Sequence, residues 1–240
     1  MESTIKYFWD NLKSFSNQTA LIDSSSNKTI TYNELDKESK NLAEKLKLSV
    51  KGLIFLFTTN NFESVITYIA SLKSTNAVLL LDEKLNNEIR NGLIENYNPD
   101  FIVTSNSNPP VNYNLEFKFE SLNFYKRKIL TQNKLFTDLA VLLSTSGTTG
   151  SPKLVRLSYK NIQSNADSIC KYLEIDENER AITTLPINYS YGLSVINSHL
   201  LKGASIVLTE KTVFFRDFWD LFNEYKFSSF AGVPYTYTML

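Results

Sequence analysis

Short, almost unbroken apolar runs, each joined to a stretch with helical spacing, recur along this chain and restrict it to few architectures. LIFLF at 53–57 leads to Phe62, Val65, Ile66, Ile69 and Leu72, and AVLLL at 77–81 leads to Leu85, Ile89, Leu93 and Ile94 before Pro99 and the run FIVT. A strand with one wet face carries a polar residue at every second position, and these do not. Such strands are buried on both faces, which requires a mainly parallel sheet flanked by helices, so the expected class is α/β. Ahead of them, ALID and KTITY flank the turn-forming SSSN as a hairpin, and Thr31 with Glu34 forms a capping box for the first helix. Asn60 is the expected cap of the second. The periodicity fades over 105–138, which reads as a connector. It resumes with LAVLLST, a helix over 161–173, AITTLP, a helix over 195–201, ASIVLT, a helix over 218–225, SFAGV and a helix starting at Pro234.

The charge balance, 25 basic against 25 acidic residues, provides no overall field for nucleic acid or an anionic membrane. One cysteine, Cys170, and one histidine, His199, can form neither an internal disulfide nor a His/Cys metal cage. Both sit in expected helices, where Cys170 reads as a small core residue and His199 lacks the partners of a hydrolytic triad. The N-terminus lacks the marks of a secretory signal, and no apolar run is long enough to span a bilayer, so the expected location is cytoplasmic.

Glycine is scarce, with 7 in 240 residues, and two of them lie in one short loop after LAVLLS: Thr145, Ser146, Gly147, Thr148, Thr149, Gly150, Ser151, Pro152, Lys153. Glycines let successive amide N–H groups face one anion, hydroxyls add donors, and the lysine adds a mobile positive charge. Those are parts of a phosphate site, although the spacing is not that of a Walker loop. The same residue types also make ordinary turns, so composition leaves both readings open.

The run STSGTTGSPKLV closely resembles the signature loop of the adenylate-forming superfamily, which includes acyl- and aryl-CoA synthetases, nonribosomal peptide adenylation domains and luciferases. TITYNELDKESKNLAEKL, LPINYSYGL and GVPYTYTML resemble further family segments in the family's order. The resemblance implies the N-terminal part of an AMP-binding domain over residues 1–240. The family's small C-terminal domain and its catalytic residues would follow Leu240, and residues 1–240 alone would not turn over efficiently. It also implies ATP-dependent activation of a small carboxylic acid as an acyl-adenylate, followed by transfer to a thiol on CoA or on the phosphopantetheine of a carrier protein, that is, an acid–thiol ligase. Thr145, Ser146, Gly147, Thr148, Thr149, Gly150 and Lys153 would hold the ATP phosphates with Mg²⁺ bridging phosphate oxygens. Tyr189, Gly192, Val233, Pro234 and Tyr235 would line the acid pocket, Tyr189 standing where many relatives carry histidine. A core tyrosine with its hydroxyl bonded is the alternative for that position. Leu154 replaces a usual glycine and could shift Lys153, and Tyr159 replaces a frequent histidine. A non-catalytic nucleotide-binding or protein-interaction module that keeps the fold is the alternative function.

Overall fold

The computed structural model describes residues 7–129, 134–145 and 153–240. Two 3-10 turns, Phe8–Asp10 and Leu12–Phe15, precede the first hairpin, β1 (Thr19–Asp23) and β2 (Lys28–Thr31). Helix α1 (Tyr32–Leu46) starts at the expected capping box, in which Thr31 and Glu34 satisfy each other's exposed backbone N–H groups. Then follow β3 (Leu53–Thr58), α2 (Phe62–Lys73), β4 (Ala77–Asp82), α3 (Asn87–Tyr97) and β5 (Phe101–Thr104). The α2 cap is Asn61, whose extended backbone lets its side chain accept from the Ser64 N–H at 2.9 Å. Asn60, the expected cap, has another task described below.

The expected connector over 105–138 contains a β-hairpin, β6 (Tyr113–Phe119) and β7 (Leu122–Arg127). Its strands are antiparallel, and β6 is largely exposed, so its apolar residues are diluted by Asn, Glu and Lys on the wet face and no unbroken run marks it. After β8 (Leu139–Thr145) the chain returns antiparallel as β9 (Lys153–Ser158), an edge strand that the apolar-run pattern does not mark for the same reason. The rest is α4 (Tyr159–Leu173), β10 (Arg180–Ile182), α5 (Ser190–Lys202), β11 (Ser205–Leu208), α6 (Arg216–Tyr225), β12 (Ser229–Phe230) and α7 (Pro234–Met239).

The strands form two sheets of order β12-β10-β11-β1-β2 and β6-β7-β5-β3-β4-β8-β9. Their inner strands pair in parallel and the hairpins supply the antiparallel edges, giving the expected α/β class. The largest core fills the space between the sheets and includes α1, α2 and the buried face of α5. Helix α2 is buried from Phe62 to Leu72, which explains its lack of a polar face. A second core packs α3 on the far side of the seven-stranded sheet, and a third packs α6 on the far side of the five-stranded sheet.

Candidate functional site

The glycine-rich segment joins β8 to β9. Of its expected phosphate-binding residues, Ser146, Gly147, Thr148, Thr149 and Gly150 lie outside the described residues, and the two that remain mark the segment's ends. Thr145 closes β8 and Lys153 opens β9, and the two are paired across the antiparallel ladder. Because β3, β4 and β8 run parallel, this point is at the carboxyl end of the sheet, where open α/β sheets leave room for ligands. Lys153 is exposed. Alternation along β9 puts it on the same face as Leu157, which packs on the core between the sheets, while Leu154 packs on the opposite face with the α3 core. The branched side chain at 154 therefore anchors the strand on the face away from the lysine.

Asn60, after β3, joins the two sheets at their carboxyl ends. Its Nδ2 donates to the carbonyls of Leu185 at 3.3 Å and Thr209 at 3.2 Å, and its Oδ1 accepts from the Ile187 N–H at 3.2 Å. Its own N–H donates to Glu210 at 2.7 Å. The segment 185–187 is thereby fixed just ahead of the expected acid-pocket residues.

Tyr189 precedes α5 and is 50% exposed, so it is not a core tyrosine. Gly192 packs against the preceding turn so tightly that a Cβ there would lie 2.2 Å from the Pro186 carbonyl oxygen. It shapes the turn and does not face a cavity. Val233 precedes α7, Pro234 opens it, and Tyr235 lies on its exposed side with its ring edge-on to Phe214 at 6.3 Å.

Two cavities flank α5 instead. One, of about 700 Å³, lies between α4 and α5 against Leu143 of β8 and Leu157 of β9, and Asn161, Asn165, Asn197, Ser190 and Ser194 give it a polar wall. Leu143 is two residues from Thr145, so this cavity adjoins the base of the glycine-rich segment. The other, of about 710 Å³, lies between α4, α5 and the β12–α7 region. Ile169, Tyr191 and Ser194 line both and form their common wall. None of Tyr189, Gly192, Val233, Pro234 and Tyr235 lines the second cavity, but their neighbours Tyr191, Ala231 and Tyr237 do. From α5 the residues Tyr191, Ser194, Val195, Ser198 and His199 line it at helical spacing, and α5 begins at Ser190, five residues before the expected start.

His199 is on this second wall and is buried. Its Nδ1 lies 2.8 Å from the Val195 carbonyl, an acceptor only, so Nδ1 carries the proton and Nε2 is the acceptor. Burial, only partly opposed by that bond, pulls its pKa below the ordinary histidine value and keeps it neutral. Burial pushes the Cys170 thiol up to about 11, and the thiol donates to the Ser198 carbonyl at 3.1 Å, which fits an unreactive core residue. Tyr159 is away from the glycine-rich segment, at the other end of β9, where it accepts a 2.8 Å hydrogen bond from Lys51. Among the described residues no group of His, Cys, Asp and Glu could hold a metal ion, and no helix is long and apolar enough to cross a membrane.

With this geometry in view, comparison with known proteins decides the family. The AMP-binding enzyme profile matches residues 8–240. The chain belongs to the AMP-binding, adenylate-forming family. It is 26% identical over 213 residues to 2-succinylbenzoate–CoA ligase of Staphylococcus epidermidis, covering 85% of this chain and 43% of that enzyme. It is 23% identical to the D-alanine–D-alanyl carrier protein ligase of the same species, covering 77% of this chain and 38% of that enzyme. The chain thus spans less than half the length of these curated relatives. Its fold matches that of ATP-bound MatB from Rhodopseudomonas palustris with a TM-score of 0.76 at 20% identity, over 97% of this chain and 50% of that one. It also matches O-succinylbenzoate Coenzyme A synthetase from Bacillus subtilis in complex with AMP, with a TM-score of 0.75 at 22% identity, over 97% and 63%. The AMP-binding family's fold is therefore the fold of this chain.

Proposed function

We propose that this chain supplies the triphosphate-binding loop and part of the acid pocket of an acid–thiol ligase, which joins a carboxylic acid to AMP and then passes the acyl group to a thiol of CoA or of a carrier protein. The observation that carries the reading is that the run TSGTTGSPK begins at Thr145 and ends at Lys153, which are paired at the carboxyl end of the parallel strands.

The difficulty in this chemistry is charge, because a carboxylate must attack the α-phosphorus of a polyanion. Amide N–H groups and hydroxyls of residues 145–150 would take the β- and γ-phosphate oxygens. Lys153 would neutralise part of the charge that builds up as pyrophosphate leaves. Mg²⁺, when bound with ATP, would supply further neutralisation of the phosphate charge. Lys153 is exposed at the strand end, and the sequence of segment 146–152 contains no carboxylate. The acid would sit with its carboxylate toward the polar cavity behind the loop and its tail toward the cavity beyond Tyr191. Asn60 holds the intervening backbone and touches neither substrate.

The test is carboxylate-dependent release of pyrophosphate from ATP by the protein as cells make it. Release that requires both an acid and ATP, and yields a hydroxamate when hydroxylamine is present, supports the proposal. ATP bound without pyrophosphate release for any acid would favour a binding module over a ligase.

A further inference from the structure

The second cavity differs from the first in what it lacks. Tyr172, Tyr191, Phe230 and Tyr237 give it an aromatic lining, with Phe230 and Tyr237 stacked at 5.9 Å and an interplanar angle of 27°. Among the described residues that line it there is no lysine or arginine. Its one carboxylate, Glu179, already accepts from the Ser228 hydroxyl. His199 presents an acceptor and stays neutral, as described above, so it offers an anion no positive charge. A second carboxylate placed here would lose its water with no cation in return. At about 710 Å³ the space is that of a small-molecule site and far exceeds what a two- or three-carbon acid fills.

We infer that the acid handled by this protein is a monocarboxylic acid with a bulky, uncharged, preferably aromatic tail that packs between Tyr191 and the Phe230–Tyr237 pair, and that dicarboxylic acids are excluded for want of a cation and short amino acids because they leave most of the space unfilled. The inference rests on the ligase reading above and names its substrate class. Tyr191 and Tyr237 are then the specificity-determining residues, since both are 41% or more exposed and can close on a ring without disturbing the core.

Calorimetric titration tests this with 4-phenylbutanoate, succinate and alanine, each added to the protein in the presence of Mg²⁺ and a non-hydrolysable ATP analogue. The aryl acid is expected to bind at least tenfold more tightly than the other two. Val195→Trp, which fills the cavity, should lower that affinity at least tenfold. Tyr237→Arg lies on an exposed helix, so folding is not at stake, and it should weaken the aryl acid and strengthen succinate. Succinate or alanine equalling the aryl acid in the unaltered protein would overturn the inference and leave the ligase reading standing. Failure of every acid to bind would overturn the acid-site reading together with it.

Discussion

Thr145 and Lys153 are partners across the β8–β9 ladder, so the two residues that flank 146–152 lie side by side on the sheet. An antiparallel pair holds its opposed Cα atoms about 4.5–5.5 Å apart. The lysine is thus tied to the strand end by backbone hydrogen bonds as well as by the seven-residue segment. Leu154 strengthens this by packing on the α3 face, so its bulk is compatible with a fixed lysine.

Gly192→Ala should destabilise the protein although it adds only one methyl group. The new Cβ would meet the Pro186 carbonyl oxygen at 2.2 Å and the Leu185 carbonyl oxygen at 2.8 Å, both backbone atoms that cannot rotate away. A loss of ~1–3 kcal/mol is expected, as for other overpacked sites. Urea unfolding followed by far-UV circular dichroism measures it, and a midpoint unchanged from the parent protein would contradict the packing described.

Asn60 and Asn61 are adjacent and of the same type, yet should differ in consequence. Asn61→Ala removes one helix cap, with an expected loss of ~1 kcal/mol. Asn60→Ala removes three side-chain hydrogen bonds that tie the two sheets together, with an expected loss of ~1–3 kcal/mol. Asn60→Ala should also speed hydrogen exchange at the Ile187 amide, and Asn61→Ala should not. Equal effects of the two variants on that amide would refute the assignment.

Lys51 provides a dependence on pH. Its ammonium donates to the Thr75 carbonyl at 2.7 Å and to the Tyr159 hydroxyl at 2.8 Å, but burial outweighs the nearby Asp138 and brings its pKa from 10.5 to about 8. Between those values the unfolded chain holds a proton that the folded chain has lost, so stability should rise with pH from about 8 upward. Burial raises the Tyr159 hydroxyl above its ordinary 10.0, so above that pH the unfolded chain loses a proton that the folded chain keeps, and stability should fall. Denaturation midpoints from pH 7 to 11 should therefore pass through a maximum near 10. Lys51→Met should flatten the rising limb, leaving the part contributed by the buried Lys73, whose pKa is also lowered, and keep the falling one.

Much of this molecule could be read from its sequence, and what could not has a common cause. The buried parallel strands β3, β4, β5 and β8 are apolar up to their last one or two residues and announce themselves, as do the helices that cover them. Strands β6 and β9 lie at sheet edges, where exposed Asn, Glu, Lys and Arg interrupt the apolar signal, so no unbroken apolar run marks either of them. For the caps, two asparagines in a row left the sequence ambiguous, because only backbone angles decide which one caps and which reaches across to the other sheet.

The acid-side residues show the limit more sharply. The family resemblance assigns Tyr189, Gly192, Val233, Pro234 and Tyr235 to one pocket, and the pairing of β10 with β12 and the Thr184–Ala231 hydrogen bond bring together the chain just ahead of both segments. Which side chains line a cavity depends on helix rotation, and the helical phase of α5 turns Tyr191, Ser194 and Val195 inward where Tyr189 faces out. Tyr237 takes its place through stacking on Phe230, a contact between residues whose relation no local pattern encodes.

Titration calorimetry with Mg²⁺ and ATP, on the unaltered protein and on Lys153→Ala, tests the central claim most directly. The unaltered chain should bind and the variant should lose ten- to hundredfold in affinity, equivalent to the ~1.5–3 kcal/mol of one charged hydrogen bond, with Lys153→Arg recovering part of the loss. Equal affinity in the unaltered protein and Lys153→Ala, with both folded, would contradict the assignment of the 145–153 segment as the triphosphate site.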